Sequence, residues 1–186
     1  MRFLLPLAII AFAVPAPTQA AESVPLPSFR SVQLRGGGDV LLVRGPVQRV
    51  TVLNGSTAFT RFTVRDGQLR IDACNERCPR NYDLQIRIEA PSVPDVAIQG
   101  GGTIRAAGGF APQGQLSAAI QGGGRIDVRT VAVGDVSAAI NGGGQIAVRP
   151  RATLSAAVNG GGTVRYSGNP QVSMAVHGGG DVIRSN

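Results

Sequence analysis

The sequence NGGGQIAV, residues 141–148, sets three consecutive glycines between two strand-like stretches. The same arrangement occurs as QGGGTIRA (99–106), QGGGRIDV (121–128), NGGGTVRY (159–166) and HGGGDVIR (177–184). The five glycine triplets begin at 100, 122, 142, 160 and 178, so successive copies lie 18 to 22 residues apart. A spacing of this length is typical of a repeat architecture.

Each triplet follows a stretch in which apolar and polar residues alternate, as in QLSAAIQ (115–121), DVSAAIN (135–141), TLSAAVN (153–159) and QVSMAVH (171–177). Alternation with a period of two predicts strands with one buried face. In the third copy we expect Leu154, Ala156 and Val158 to be buried, and Ser155, Ala157 and Asn159 to be exposed. The same register predicts that Val172, Met174 and Val176 point inward.

Repeats that stack identical positions bury one another's faces. The sequence therefore predicts an all-β fold, a right-handed single-stranded parallel β-helix (β-solenoid) with coils of about 18–22 residues, because parallel crossovers are nearly always right-handed. A β-sandwich is the alternative, although it would not require identical corners. Glycine adopts positive φ without steric cost, so we expect structural corners at Gly36, Gly37, Gly38, Gly100, Gly101, Gly102, Gly122, Gly123, Gly124, Gly142, Gly143, Gly144, Gly160, Gly161, Gly162, Gly178, Gly179 and Gly180.

The first twenty residues have the pattern of a secretory signal peptide. A positive start is followed by FLLPLAIIAFAV (3–14) and by small residues that predict cleavage near Ala20. About twelve apolar residues are too few to span a bilayer, so we expect no transmembrane segment in the mature chain. We expect a linker at 21–28 and one β-solenoid domain at 29–186, with irregular opening coils and a cap at 29–92 and regular repeats at 93–186.

The basic charge of the chain comes from arginine alone. The sequence has 18 Lys+Arg, all of them Arg, and 11 acidic residues, for a net charge of +7. Arginine without lysine reflects genome composition in the simplest interpretation. The functional interpretation is attraction to an anionic envelope polymer through the field of the surface; another envelope protein is a further candidate partner. The arginines are spread along the chain and there is no phosphate-binding loop, so we expect no nucleic-acid partner.

Cys74 and Cys78 are the only cysteines. In an exported chain such a pair favours a disulfide that closes a small loop. A zinc site would need further ligands, and the one histidine, His177, is distant in sequence. A redox pair is the third possibility, but nothing nearby resembles a thioredoxin unit.

The residues before the five repeated triplets form one row when the repeats are stacked. Stacked amides hydrogen-bond along a ladder, as in other in-register assemblies, and this structural role is one interpretation of the row. The other is that the polar, nearly flat face is a binding surface. Its candidate residues are Gln99, Gln121, Asn141, Asn159 and His177.

Enzymatic classes find little support in the sequence. Glycoside hydrolysis usually needs two carboxylates about 5–10 Å apart, whereas Asp95, Asp127, Asp135 and Asp181 fall at different offsets in different repeats. Asp127 is expected beside Arg105, one repeat away, and could simply pair with it. A calcium β-roll repeats an aspartate every nine residues, and here most copies lack it. We expect no catalytic residue, metal or cofactor.

Several elements in order resemble the bacterial head GIN domain family, described as autotransporter adhesin heads. They are SFRSVQL (28–34), DVLLVRG (39–45), VRDGQLRI (64–71) and APSVPDVAIQGGG (90–102), followed by the later glycine corners. The resemblance covers about Ser28 to Asn186 and implies a single-stranded right-handed β-helix. In contrast to the family, where corners often carry Ser between glycines and an acid after them, every corner here is GGG. The family supplies no catalytic residues to transfer.

Together these observations predict a non-enzymatic, exported cell-envelope module, periplasmic or at the cell surface. It would resemble an adhesin head and present a flat polar ladder face. The alternative is a polysaccharide-active β-helix enzyme, a lyase or hydrolase, since folds of this kind host both.

Overall fold

A computed structural model describes residues 21–75 and 77–185; the predicted signal peptide lies outside them. The described residues form strands and turns, with no helix among them. The strands are β1 (Glu22–Val24), β2 (Ser31–Gly36), β3 (Asp39–Arg44), β4 (Arg49–Asn54), β5 (Arg61–Arg65), β6 (Gln68–Asp72), β7 (Gln85–Ala90), β8 (Asp95–Gly100), β9 (Thr103–Ala106), β10 (Gln113–Gly122), β11 (Arg125–Asp127), β12 (Val133–Gly142), β13 (Gln145–Val148), β14 (Pro150–Asn159), β15 (Thr163–Tyr166), β16 (Gln171–His177) and β17 (Asp181–Arg184).

The strands form two mixed sheets. The nine-stranded sheet has the order β1-β4-β7-β3-β9-β11-β13-β15-β17, and the eight-stranded sheet has the order β16-β14-β12-β10-β8-β2-β6-β5. From β8 onward, consecutive strands alternate between the sheets, and neighbours within each sheet are parallel. Each sequence repeat therefore contributes one strand to each sheet, with its glycine triplet at the passage between them.

The expected parallel pairing holds only in part for the first part of the chain, where β2 and β3 pair in parallel with their neighbours and other strands do not. The pairs β1–β4, β4–β7 and β5–β6 are antiparallel. The β5–β6 hairpin has a physical cause in the two-residue turn Asp66–Gly67, where φ is 50° and 74°. Positive φ at both positions is the requirement of a type I′ turn, which joins antiparallel strands. The expected linker at 21–28 also contains β1, which covers the edge of β4.

The core lies between the two sheets and follows the predicted alternation. Leu154, Ala156 and Val158 are buried, whereas the residues between and after them, Ser155, Ala157 and Asn159, are exposed. Alanine occupies the middle inward position of three successive strands, so the core is thin there. These buried alanines are Ala118, Ala138 and Ala156.

The last repeat departs from this pattern. Met174, which aligns with buried Ala156, is 64% exposed, and Val176 is 37% exposed. Val172 is only partly buried. The expectation that all three residues are buried is wrong, because β16 is the outermost strand of its sheet. In the described part of the chain, no strand pairs with the outer edge of β16.

The steric demand for glycine falls on two positions of each triplet. The first glycine has positive φ in all six copies. At Gly142, whose φ is 129°, a Cβ atom would stand 2.5 Å from the carbonyl oxygen of Gly122 in the preceding repeat. At Gly144 a Cβ would stand 2.6 Å from Cγ2 of Ile120. By contrast, a Cβ at Gly143 would meet no heavy atom within 4 Å, so the middle glycine is not required for packing.

We therefore expect the three alanine variants of this triplet to differ. Gly142→Ala and Gly144→Ala should each lower the free energy of unfolding by about 1–3 kcal/mol, because the added methyl group forces backbone or core atoms apart. Gly143→Ala is the matched control and should change it by less than about 1 kcal/mol, in either direction. Urea unfolding of the three variants measures this directly, and three equal losses would contradict the assignment.

Candidate binding surfaces

Three rows of side chains run across the outer face of strands β8, β10, β12, β14 and β16 in the eight-stranded sheet. The strands β10, β12, β14 and β16 pair in a register that sets like residues side by side. Because neighbouring strands lie about 4.8 Å apart, each row repeats at that interval. The rows are the serine row (Ser117, Ser137, Ser155, Ser173), the alanine row (Ala97, Ala119, Ala139, Ala157, Ala175) and the amide row (Gln99, Gln121, Asn141, Asn159, His177).

The amide row forms one side of a shallow depression whose floor is the alanine row. The depression has a volume of about 250 Å³, and we call it the alanine trough. Its floor is made of methyl groups, whereas its side offers amide donors and acceptors. The alanine trough is lined by Gln33, Ala97, Ile98, Gln99, Ala119, Ile120, Gln121, Ala139, Ile140, Asn141, Ala157 and Asn159.

The two ends of the amide row differ. At one end Nε of Arg35 donates to Oε1 of Gln99 at 2.6 Å, and Nε2 of Gln99 donates to Oε1 of Gln121 at 3.1 Å. This end is a hydrogen-bonded ladder, the structural role expected from the sequence. At the other end Asn141, Asn159 and His177 are in register and exposed. The structure thus brings the five predicted residues into one row but bonds only the first two together.

The outer face of the nine-stranded sheet has the opposite chemistry. It carries a groove of about 740 Å³, which we call the arginine groove. Three arginines and one carboxylate are its charged residues. The groove is lined by Leu41, Arg105, Ala106, Ala107, Asp127, Arg129, Thr130, Arg149, Ser167, Gly168 and Ser185.

Asp127 is held by Arg129 in a two-pronged ion pair. Nη2 of Arg129 lies 2.7 Å from Oδ2 of Asp127, and Nε of Arg129 donates to Oδ1 at 3.0 Å. This hydrogen-bonded contact holds the pKa of Asp127 below its ordinary value and raises the pKa of Arg129. Asp127 is next to Arg105 in the register, as expected, but the expected pairing with that residue is wrong. The nearer guanidinium, two residues along the chain, takes both carboxylate oxygens.

The four carboxylates weighed as catalytic candidates are divided between the two faces. Asp95 and Asp135 lie on strands of the eight-stranded sheet, and Asp127 and Asp181 on strands of the nine-stranded sheet. The first two also accept hydrogen bonds, from the backbone N–H of Ser117 at 2.7 Å and from the hydroxyl of Thr153 at 2.6 Å. Among residues 21–75 and 77–185, no three His, Cys, Asp or Glu side chains group to hold a metal ion.

The predicted disulfide between Cys74 and Cys78 is confirmed, with Cα atoms 5.9 Å apart. It lies in the connection between β6 and β7. A search of the described residues for a helix long and apolar enough to cross a membrane found none.

Sequence reasoning missed the arginine groove. The arginines look scattered along the chain, yet Arg129 and Arg149 are one repeat apart. Arg129 lies in the turn after β11 and Arg149 directly follows β13, so both come after adjacent strands of the nine-stranded sheet. The spacing of 20 residues, equal to that of the glycine triplets at 122 and 142, was the signal that could have found it.

The described part of the chain is an all-β repeat structure with two faces of contrasting chemistry. A family model described as "Putative auto-transporter adhesin, head GIN domain" matches residues 28–113 and 95–170. These matches span most of the chain, and the protein belongs to this family. The resemblance seen in the sequence is thereby confirmed.

Solved structures with a similar course of the chain come from several bacteria. A putative adhesin from Bacteroides fragilis is 18% identical, with a TM-score of 0.45, covering 89% of this chain and 96% of that one. A putative lipid binding protein from Parabacteroides distasonis is 14% identical, with a TM-score of 0.38 and coverages of 90% and 96%. A putative cell adhesion protein from Clostridium sporogenes is 9% identical, with a TM-score of 0.34 and coverages of 89% and 100%. No curated protein matches the sequence.

The Asp127–Arg129 pair predicts a pH dependence of stability. A carboxyl whose pKa is lowered on folding stabilises the protein above its unfolded pKa, about 3.9, and loses this effect as the pH falls through the lower folded value. Asp127→Asn should therefore be less stable than the parent protein at pH 7, and this difference should shrink at pH 3. Thermal unfolding at both pH values measures it.

Asp181→Asn is the matched control, since it removes an exposed carboxylate from the same sheet. Its effect at pH 7 should be smaller than that of Asp127→Asn. If Asp127→Asn is less stable than the parent protein by the same amount at both pH values, the ion pair is not the cause of the loss of stability.

Proposed function

We propose that this chain is an exported, non-enzymatic binding module of the cell envelope, and that the alanine trough is its binding surface. The single observation that supports this most strongly is the in-register row of Asn and Gln beside a row of Ala. The family of adhesin heads is consistent with it. In this proposal residues 1–20 are a signal peptide cleaved near Ala20, and the mature chain is periplasmic or lies on the cell surface.

We further infer that residues 95–184 wind as a right-handed β-solenoid. Consecutive strands alternate between two sheets and pair in parallel within each. Connections between parallel strands of one sheet are right-handed in nearly all proteins. A solenoid would keep the three rows straight, because each turn repeats the conformation of the previous one.

The chemistry of the trough favours an uncharged, extended partner. The alanine and amide rows contain no acidic or basic residue other than His177, although the chain is rich in arginine. Buried contact with a charged ligand would leave its charge unpaired there, at a high cost in free energy. Methyl groups on the floor and amides at the side suit a polymer with an apolar face and a polar edge. A neutral envelope polymer or an extended segment of another envelope protein has this character.

The binding role is favoured over a polysaccharide-active enzyme. Acid–base hydrolysis of a glycosidic bond needs two carboxylates around one bond, and of the four candidates only Asp127 lines either of the two depressions described above. The alanine trough itself is lined by no carboxylate. A fold shared with enzymes does not confer activity.

The test is co-sedimentation of the mature protein with isolated peptidoglycan, outer membrane and intact cells, at low and high salt. We expect binding to one fraction to survive high salt, since the trough is uncharged. Ala139→Tyr should weaken this binding at least about tenfold, because the ring would occupy the trough. The control is Ala111→Tyr, an equal change at an exposed position in the β9–β10 connection, and it should bind like the parent.

Two results would contradict the proposal. Binding that is abolished by high salt would indicate only nonspecific electrostatic attraction between a basic protein and anionic polymers. Equal salt-resistant binding by Ala139→Tyr and the parent protein would place the binding surface elsewhere.

A further inference from the structure

We propose that the arginine groove is a second binding site, and that it takes a chain of phosphate groups lying across the strands of the nine-stranded sheet. This site lies on the face opposite the alanine trough and does not depend on that trough being a binding surface.

The groove concentrates positive charge that the protein does not neutralise. Its charged residues are Arg105, Arg129, Arg149 and Asp127, so three cations face one anion. Arg129 occupies both oxygens of Asp127. Within the described part of the chain, neither Arg105 nor Arg149 makes an ion pair with a carboxylate. Two guanidinium groups are therefore available to an anion.

Arginines from three repeats line the same groove. They are Arg105, Arg129 and Arg149. Arg129 lies in the turn after β11, and Arg149 directly follows β13, where its carbonyl oxygen accepts from the N–H of Val133 at 3.1 Å. A phosphate group has several free oxygens and suits the planar donor fork of arginine, so successive groups of one chain can accept from Arg105 and Arg149.

The length of the groove favours a chain over a single anion. Its lining runs from Arg105 on β9 to Ser185 after β17, across four strand spacings or about 19 Å. Beyond the arginines the lining continues as Ser167, Gly168 and Ser185. The hydroxyl of Ser167 can donate to a further phosphate oxygen, whereas the hydroxyl of Ser185 donates to the carbonyl oxygen of Tyr166 at 3.3 Å. At Gly168, whose φ is 105°, a Cβ would stand 2.9 Å from the carbonyl oxygen of Pro150, so no side chain fills this part.

The test is calorimetric titration of the protein with tripolyphosphate at low salt. We expect saturable binding that the double variant Arg105→Gln/Arg149→Gln weakens at least about tenfold. The matched control is Arg65→Gln/Arg151→Gln, which removes two exposed arginines from the eight-stranded sheet. It should weaken binding less than about threefold, since long-range attraction alone is lost. Thermal unfolding verifies that both variants are folded.

Two further probes distinguish the source of the phosphate groups. Orthophosphate should bind much more weakly than tripolyphosphate. Binding to vesicles of phosphatidylglycerol should depend only on the net charge of the protein, so the two double variants should bind them equally. Equal losses in the two double variants would overturn the proposal, as would equal affinity for orthophosphate. So would binding to vesicles without binding to tripolyphosphate, which would indicate a lipid surface. Ala139→Tyr should leave tripolyphosphate binding unchanged, so failure at the trough and failure at the groove are separable.

Discussion

The close approach of successive repeats at their glycine corners is the constraint on which the rest of the structure depends. A side chain at Gly142 would overlap the carbonyl oxygen of Gly122, and one at Gly144 would overlap Ile120 in the preceding repeat. With hydrogen in these places, Gly143 donates its N–H to Gly122 and Gln145 donates to Gly124, both at 3.0 Å. Hydrogen bonds between neighbouring repeats thus continue through the corner from one sheet to the other. They hold each repeat in line with the preceding one.

Strict stacking turns a sequence repeat into a surface pattern. A residue type that recurs at one position of each repeat becomes a row, and its chemistry is multiplied along the sheet. On strands β10, β12, β14 and β16 of the eight-stranded sheet, the recurring outward residues are serine, alanine and an amide or His177, so these rows contain no carboxylate and no arginine. On the nine-stranded sheet the outward positions vary more, and arginine is frequent among them. One scaffold therefore presents two faces that suit different partners.

The sequence was sufficient to predict what depends on local alternation and on the repeat. The burial of Leu154, Ala156 and Val158 and the single row of amides both follow from it, because strand periodicity and an equal spacing of corners leave one register. Antiparallel pairing of β4 with β7 could not be predicted this way, since the first part of the chain has no repeat to align. The exposure of Met174 depends on β16 having no outer neighbour, which its own pattern does not reveal.

The middle glycine and the arginine groove show the same limit in greater detail. All three glycines of a triplet look equivalent in sequence, and only the position of the preceding repeat shows that Gly143 faces open space. The pairing of Asp127 with Arg129 rather than with Arg105 depends on where the chain leaves β11. The local geometry at the end of this short strand determines which arginine pairs with Asp127. An alignment of the repeats does not contain this geometry.

The stacking register is the central claim, and engineered disulfides test it most directly. Ser137 and Ser155 pair in register, so their Cα atoms should be about 4.8 Å apart, within the range that a disulfide spans. Ala157 is two residues further along the same strand, about 8 Å from Ser137, which is too far. After mild oxidation, mass spectrometry of the digested protein should find the bond in Ser137→Cys/Ser155→Cys and not in Ser137→Cys/Ala157→Cys. Bonding of the second pair as readily as the first would contradict the register and the two faces built on it.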